Sequence, residues 1–139
     1  MQAALYGNMN AAPTYLERRE TPHRPADLRE HECILYTHQN NLDLWSFDRA
    51  DGREERVRVS GRLHCNHGDA IAKLAVEGAG VAWLPEFIVA PLVEDGALIP
   101  LLEERCVAEM PIHVVFATRG SRTHKEELLV QALRKRLGT

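Results

Sequence analysis

Three side chains able to do chemistry stand within four residues: His64, Cys65 and His67. They open the stretch LHCNHGDAIAKLAVEGAGVAWLPEF, which runs from Leu63 to Phe87. Two imidazoles and a thiol could ligate a metal or set up a nucleophile. The metal reading fails on ligand count. Cys65 and His67 share a face of an extended chain, but no further ligand follows at zinc-like spacing, and a structural zinc site takes four. The nucleophile reading fails on context. Adjacency in sequence does not place an imidazole to take a thiol's proton, and no elbow motif surrounds Cys65. No catalytic residue, metal ligand or cofactor is expected here. Cys65 is expected as a small, buried residue on an apolar face.

A third chemistry uses the backbone. CNHGD reads as a strand running into a helix. Asn66 is a good N-cap, and Asp69, three residues on, takes a place like that of a capping box. Asp69 also suits the positive end of the helix dipole. Gly68 has no side chain to screen the first-turn N–H groups. A helix N-terminus at the carboxyl end of a strand can hold a small anion. His67 would donate a hydrogen bond when neutral and add charge when protonated. The plainer alternatives stay open: a well-capped helix that binds nothing, with His67 an exposed loop residue. The other histidines, His23, His31, His38, His113 and His124, are scattered and form no acid–base pair.

The elements that position this junction can be read from periodicity. Met1–Asn10 is a strand, a tag remnant or a ragged end. Pro13 opens a short helix over Thr14–Arg18, and Pro25–Glu30 forms another turn or two. Cys33–Tyr36 is a short apolar strand. Asp43–Ser60 reads as a hairpin: Trp45 and Phe47 alternate with polar residues, Asp51-Gly52 turns, and Val57 and Val59 alternate with arginines. Continued through Gly61, that alternation puts Leu63 and Cys65 on the apolar face. A helix then ends at Gly78 and Gly80. Val81–Leu84 is a strand, and a second helix is expected to kink or stop at Pro91. Leu98–Glu104 is a short strand or extended segment. Pro111–Thr118 reads as a strand buried on both faces, as in a parallel sheet. The last helix, from His124, lines Leu128, Leu129, Ala132, Leu133 and Leu137 on one stripe. Strands alternating with helices, interrupted by a hairpin, make an α/β pattern with mixed pairing.

Composition narrows the function. The chain has 139 residues, 45% hydrophobic and 27% charged, as in a globular domain. A net charge of -3 argues against a dedicated nucleic-acid-binding domain. Arg134–Arg136 is a short basic run at a helix end, where cations suit the dipole. No run of about 18 apolar residues is present to span a membrane, and Met1–Asn10 lacks the pattern of a signal peptide. Three dispersed cysteines, Cys33, Cys65 and Cys106, fit a reducing cytoplasm rather than a disulfide framework.

Several motifs in fixed order carry a resemblance. Gly78, Gly80, Val81, Ala82, Leu84 and Pro85 spell G-x-G-V-A-x-L-P, and Gly96, Leu98, Ile99, Pro100, Leu101 and Leu102 spell G-x-L-I-P-L-L. Upstream stand Pro13, Tyr15, Leu16, Pro22, Pro25, Asp27, Leu28, His31, Cys33 and Ile34. With the Trp45/Phe47 hairpin, these resemble the effector-binding domain of LysR-type transcriptional regulators, over about Ala12 to Leu137. The resemblance implies a periplasmic-binding-protein-like (type 2) fold of two α/β lobes with a small metabolite between them. Residues 1–110 would then be the second lobe, and 111–139 the strand and helix returning to the first.

What the resemblance implies about function is an effector sensor of a cytoplasmic regulator, without direct DNA contact by this stretch and without membrane contact. The effector would be a small anion, and the residues that carry over to its site are Cys65, Asn66, His67 and Gly68. The alternative is a stand-alone small-molecule binding module related to solute-binding proteins. Nothing here resembles the family's winged helix-turn-helix or the first half of its first lobe, so the chain is expected to be a piece of a longer regulator. An uncovered apolar edge at Pro111–Thr118 would favour a homodimer or a strand-exchanged oligomer.

Overall fold

The computed structural model describes residues 3–38, 41–105, 108–117, 120 and 122–137, with the backbone alone at 3–6 and 108–111. The chain divides into two compact units: Tyr6–Ala108, and Met1–Leu5 together with Glu109–Thr139.

The first residues form a strand, β1 (Ala3–Ala11), and the Pro13-led helix α1 spans Pro13–Arg18. A 3-10 helix follows over Pro25–Glu30, capped by Arg24 and Asp27, and leads to β2 (Cys33–Tyr36). The hairpin forms as the alternation requires: β3 (Leu44–Asp48) pairs antiparallel with β4 (Glu54–Arg58), Trp45 opposite Val57. Next come β5 (His64–Cys65), α2 (Gly68–Val76) and β6 (Val81–Pro85). Then α3 (Glu86–Glu94) leads to β7 (Ile99–Leu101).

In the larger unit the strand order is β5-β2-β6-β1-β7. β2 runs parallel to both β5 and β6, and β1 runs antiparallel to β6 and β7. This is the mixed α/β sheet expected from the sequence. Its strands are short and apolar because both faces are covered. Cys33, Leu35, Val81, Met9 and Ala11 point to one core with Tyr15, Leu28, Trp45, Phe47 and Val57. Ile34, Ala82 and Leu84 point to the other, with Ile71, Ala72 and Ala75 of α2 and Val89 of α3. Each fully buried Val, Leu, Ile, Met or Phe side chain among them stabilises the fold by roughly 1.5–3 kcal/mol. Trp83 joins the hairpin to the sheet, its ring 5.6 Å from Trp45 and 6.1 Å from Phe47.

Gly61 corrects one expectation. The alternation of β4 does not run on to Cys65: Val57 and Val59 are buried, but Leu63 is 37% exposed. The chain leaves the hairpin at Ser60, which bridges Glu32, and β5 starts afresh beside β2. Gly61 sits so close to β2 that a Cβ would stand 1.6 Å from the Cys33 carbonyl oxygen. A backbone approach of this kind resets the phase, which periodicity counting cannot see. Gly78, at φ 80°, ends α2 in the left-handed region, as the sequence led one to expect. Pro91 does not stop α3, which runs on to Glu94. Pro91 and Phe87, whose carbonyl loses its helical donor, are both exposed, so water can replace that bond.

In the smaller unit, β8 (Ala108–Ile112) pairs with β1, and α4 spans His124–Leu137. Thr123 and Glu126 cap α4 reciprocally: the Thr123 N–H donates to Glu126 Oε2 at 2.7 Å, and the Glu126 N–H to Thr123 Oγ1 at 3.4 Å. The doubly buried strand expected over Pro111–Thr118 is not formed. The strand lies further back and ends at Ile112, residues 113–117 are irregular, and Val115 is 87% exposed; Thr118 lies outside the described residues. Burial on both faces needs covering layers, and Val130 is the one buried hydrophobic of this unit among the described residues. Leu128, Leu129 and Leu137 of the expected stripe are exposed.

Candidate functional site

Because β2, β5 and β6 are parallel, their carboxyl ends share one edge of the sheet. That edge carries Tyr36 at the end of β2 with Thr37 and His38 after it, Asn66 and His67 after β5, and Pro85 at the end of β6. The Thr37 N–H donates to the Cys65 carbonyl at 2.9 Å, which ties the first two ends together. The N-terminus of α2 follows directly. Ligands of open parallel sheets bind outside the carboxyl ends of strands, next to such a helix start.

The cap differs from expectation. His67, not Asn66, is the N-cap of α2, in extended conformation (φ -131°, ψ 120°) and without a side-chain hydrogen bond. Cys65 is still paired to Thr37, so the chain needs Asn66 to leave the strand before helical geometry begins, and Asp69 falls one place too early for a capping box. Asn66 and His67 are both exposed. The first helical bond is Ile71 N–H to His67 O at 3.1 Å. The N–H groups of Gly68, Asp69 and Ala70 precede it and have no intrahelical acceptor. Gly68 has a packing reason for its identity as well: a Cβ would come 2.7 Å from Ile88 Cδ1 of α3.

Cys65 is half-buried, packs at the margin of the α2–α3 core, and its thiol lies 3.7 Å from the His67 carbonyl. Its neighbour His64 turns away, with Nε2 3.2 Å from the Gly61 carbonyl. The structure therefore brings Asn66, His67 and Gly68 together at a helix start and separates His64 from them. Thr37 and His38 at the same edge were missed by the sequence reading. Their signal was the end of the Cys33–Tyr36 run, which only the parallel pairing with β5 turns into a site position. The Tyr36 and His38 rings meet edge to face at 5.7 Å. Beside this edge a groove of about 460 Å³ opens between α2 and α3; Asp69, Lys73, Ile88 and Leu92 line it, but none of residues 65–68.

Two other reactive groups serve the fold. Cys33 is fully buried, and burial with the nearby Glu32 charge pushes its thiol up to about 12, so it is no nucleophile at neutral pH. His31 holds the loop before Cys33: the Tyr15 hydroxyl lies 2.9 Å from its Nδ1 and accepts the Glu32 N–H at 3.1 Å. Burial, and then the Arg19 charge, lower the His31 pKa, so the neutral ring accepts the Tyr15 proton. Burial raises the Tyr15 pKa in turn. Among the described residues no three His, Cys, Asp or Glu side chains come together as a metal site, and no helix is long and apolar enough to cross a membrane.

Comparison with known proteins places the chain among similar sequences and structures. A family model described as the LysR substrate binding domain matches residues 9–138. A transcriptional regulator of Pseudomonas aeruginosa is 37% identical over 126 residues, covering 89% of this chain and 41% of its own length. The transcriptional activator TtdR of Escherichia coli is 33% identical over 95 residues, covering 68% of this chain and 30% of its own length. The chain thus spans well under half the length of these relatives. Among solved structures, the regulatory domain of CrgA, a LysR-type transcriptional regulator from Neisseria meningitidis, superposes with a TM-score of 0.77 at 24% identity. That match covers 96% of this chain and 65% of that one. The effector domain of AmpR from Pseudomonas aeruginosa superposes at 0.66 and 17% identity, covering 99% of this chain and 63% of that one.

Proposed function

The chain belongs to the LysR substrate-binding domain family, and from that premise we propose that it is the effector-sensing part of a cytoplasmic bacterial transcriptional regulator. Residues 1–110 act as the second lobe and 111–139 as the return to the first; the division of the chain after Ala108 supports the second boundary, while Met1–Leu5 group with the returning segment. The effector is a small anion held at the start of α2 by the N–H groups of Gly68, Asp69 and Ala70, with His67 as a donor, Asn66 at the rim and Cys65 behind them. Effector binding shifts the population of lobe arrangements, and attached DNA-binding domains read that shift. The sensing part itself makes no contact with DNA, performs no catalysis, and works as a homodimer.

The observation that carries this reading is the side-chain-free cap of α2 at the carboxyl edge of three parallel strands. Unpartnered first-turn N–H groups and the helix dipole attract negative charge. Asp69 already stands in that first turn and opposes a second negative charge, so the site favours a monocarboxylate over a phosphate. The test is thermal unfolding of the chain against acetate, pyruvate, benzoate and inorganic phosphate. The expected result is a saturable rise in melting temperature with at least one monocarboxylate, which follows from binding to the native state alone. Asp69→Asn should tighten that binding about two- to fivefold, the size of one charge near a helix end, and His67→Ala should weaken it. Indifference of Asp69→Asn to every anion would remove the helix start as the site.

A further inference from the structure

Asn10 is fully buried in β1, opposite Ala82 of β6 and Pro100 of β7. Its neighbours Met9 and Ala11 face the hairpin core, so strand alternation turns Asn10 to the α2–α3 face, where Ala82 also points. The amide nitrogen donates to the Asn8 carbonyl at 3.0 Å. The Oδ1 atom is buried without a hydrogen-bond partner. An acceptor removed from water and left unpaired costs stability, and native proteins keep few of them.

Open space lies beside this residue. Asn10 lines a cavity of about 250 Å³ between β1, α3 and the β7 end, whose wall also carries Asn8, Glu86, Glu94 and Glu103, with Val89 and Val93 between the glutamates on α3. None of the three carboxylates has an ion-pair partner among the described residues. They are not grouped as a metal site. Glu86 and Glu94 are eight residues apart on α3, about 12 Å along the helix axis. A single ammonium cannot meet both. The strand register places Asn8 and Glu103 toward the Glu86 end, since Leu101 pairs with Met9, and Asn10 with Pro100 further along. Each end of the groove thus offers an amide and a carboxylate, with valine side chains between.

We propose that this cavity binds a linear alkyl diamine in its diprotonated form. One ammonium donates to Glu94 and, once the Asn10 amide turns toward it, to Asn10 Oδ1; the other donates to Glu86, Glu103 or Asn8. The methylenes lie on Val89 and Val93. Two N–H···O contacts of about 3 Å each use about half of the distance between the glutamates, and a chain of about five methylenes spans the remainder. The site is separate from the start of α2 and would take a ligand of opposite charge.

The experiment is a calorimetric titration of the intact chain with 1,5-diaminopentane. Comparators are pentylamine, which has one charge, hexamethonium, which has two charges but no N–H, and acetyl-Lys-Lys-amide, which carries ammonium groups as a protein partner would. The expected result is one saturable site for the diamine, with pentylamine and hexamethonium each weaker by about tenfold or more, the loss of one charge-assisted hydrogen bond. The Glu86→Gln/Glu94→Gln variant should lose at least about tenfold in affinity with its ligand-free melting temperature unchanged, because both glutamates are exposed. Asn10→Leu keeps the volume, removes the orphaned acceptor, and should abolish binding while melting no lower. If that variant does not fold, the glutamate variant and hexamethonium decide. Absence of saturable diamine binding overturns the proposal, as does equal binding of hexamethonium or an unchanged glutamate variant. Binding of the lysine peptide without binding of the diamine also overturns it, by assigning the cation to another protein.

Discussion

In α2, Ile71, Ala72 and Ala75 recur at helical spacing and all three are buried beneath 4% exposure. In α4, Leu128, Leu129 and Leu137 recur at similar spacing and are 51%, 56% and 43% exposed. Both helices form, and α4 has the better cap. The difference lies in what each one meets. α2 lies on a sheet face that supplies Ile34, Ala82 and Leu84, whereas in the smaller unit Val130 alone among the described hydrophobics is covered. Hydrophobic periodicity thus fixes which side of a helix is apolar; the layer that covers it comes from elsewhere.

The largest effect that would sharpen this contrast is expected at Gly61, in the well-covered unit. Alanine there would drive a Cβ to within 1.6 Å of the Cys33 carbonyl oxygen. A backbone contact cannot rotate away, so Gly61→Ala should cost about 3 kcal/mol or more, the upper range for overpacking, or prevent folding. Urea unfolding measures it, and a loss under about 1 kcal/mol would show that β2 and the Ser60–Gly61 crossing are loosely joined.

Next in size is the direct comparison of the two helices. Ile71→Ala should destabilise by about 2–5 kcal/mol, as buried aliphatic truncations do. Leu129→Ala should stay within about 0.5 kcal/mol, as at exposed positions. The same unfolding curves read both. A cost for Leu129→Ala matching that of Ile71→Ala would break the comparison, because the α4 stripe would then be covered in solution, and dilution should expose the second chain that covers it.

The smallest effect is a pH dependence confined to the larger unit. Burial and the Arg19 charge lower the His31 pKa, so the folded chain disfavours the protonated ring. The stability this contributes is complete above the unfolded value, about 6.5. It drains away as pH falls from there through the lowered folded value. Stability should therefore decline as pH falls below about 6.5. His31→Gln should flatten that decline, and Tyr15→Phe should lose about 1–3 kcal/mol at neutral pH, two hydrogen bonds' worth. Unchanged slopes in His31→Gln would assign the pH dependence to another group.

The larger unit was legible because local rules and tertiary context agree there. The Cys33–Tyr36 strand, the Trp45–Val57 hairpin and the glycine stop at Gly78 follow from alternation, turn chemistry and caps. Three features were not legible, each for a physical reason. The phase break at Gly61 depends on a backbone crossing between residues distant in sequence. The cap at His67 depends on Cys65 being held by Thr37, which delays the helix by one residue. The Pro111–Thr118 run is apolar enough for a doubly covered strand, but apolarity states a need for cover and does not supply it. The candidate site was half visible: the strand-to-helix junction shows in CNHGD, whereas Thr37 and His38 join it only through the parallel pairing of β2 with β5.

The claim most worth testing is that the α2 start and the strand ends beside it form the anion site. Amide chemical shifts of the nitrogen-15-labelled chain, followed while pyruvate is titrated in at constant ionic strength, address it directly. The expected result is saturable movement of the Gly68, Asp69 and Ala70 amides, accompanied by Thr37 and His38, with α4 unmoved. Saturable shifts confined to other residues, or linear drift without saturation at Gly68–Ala70, would contradict it.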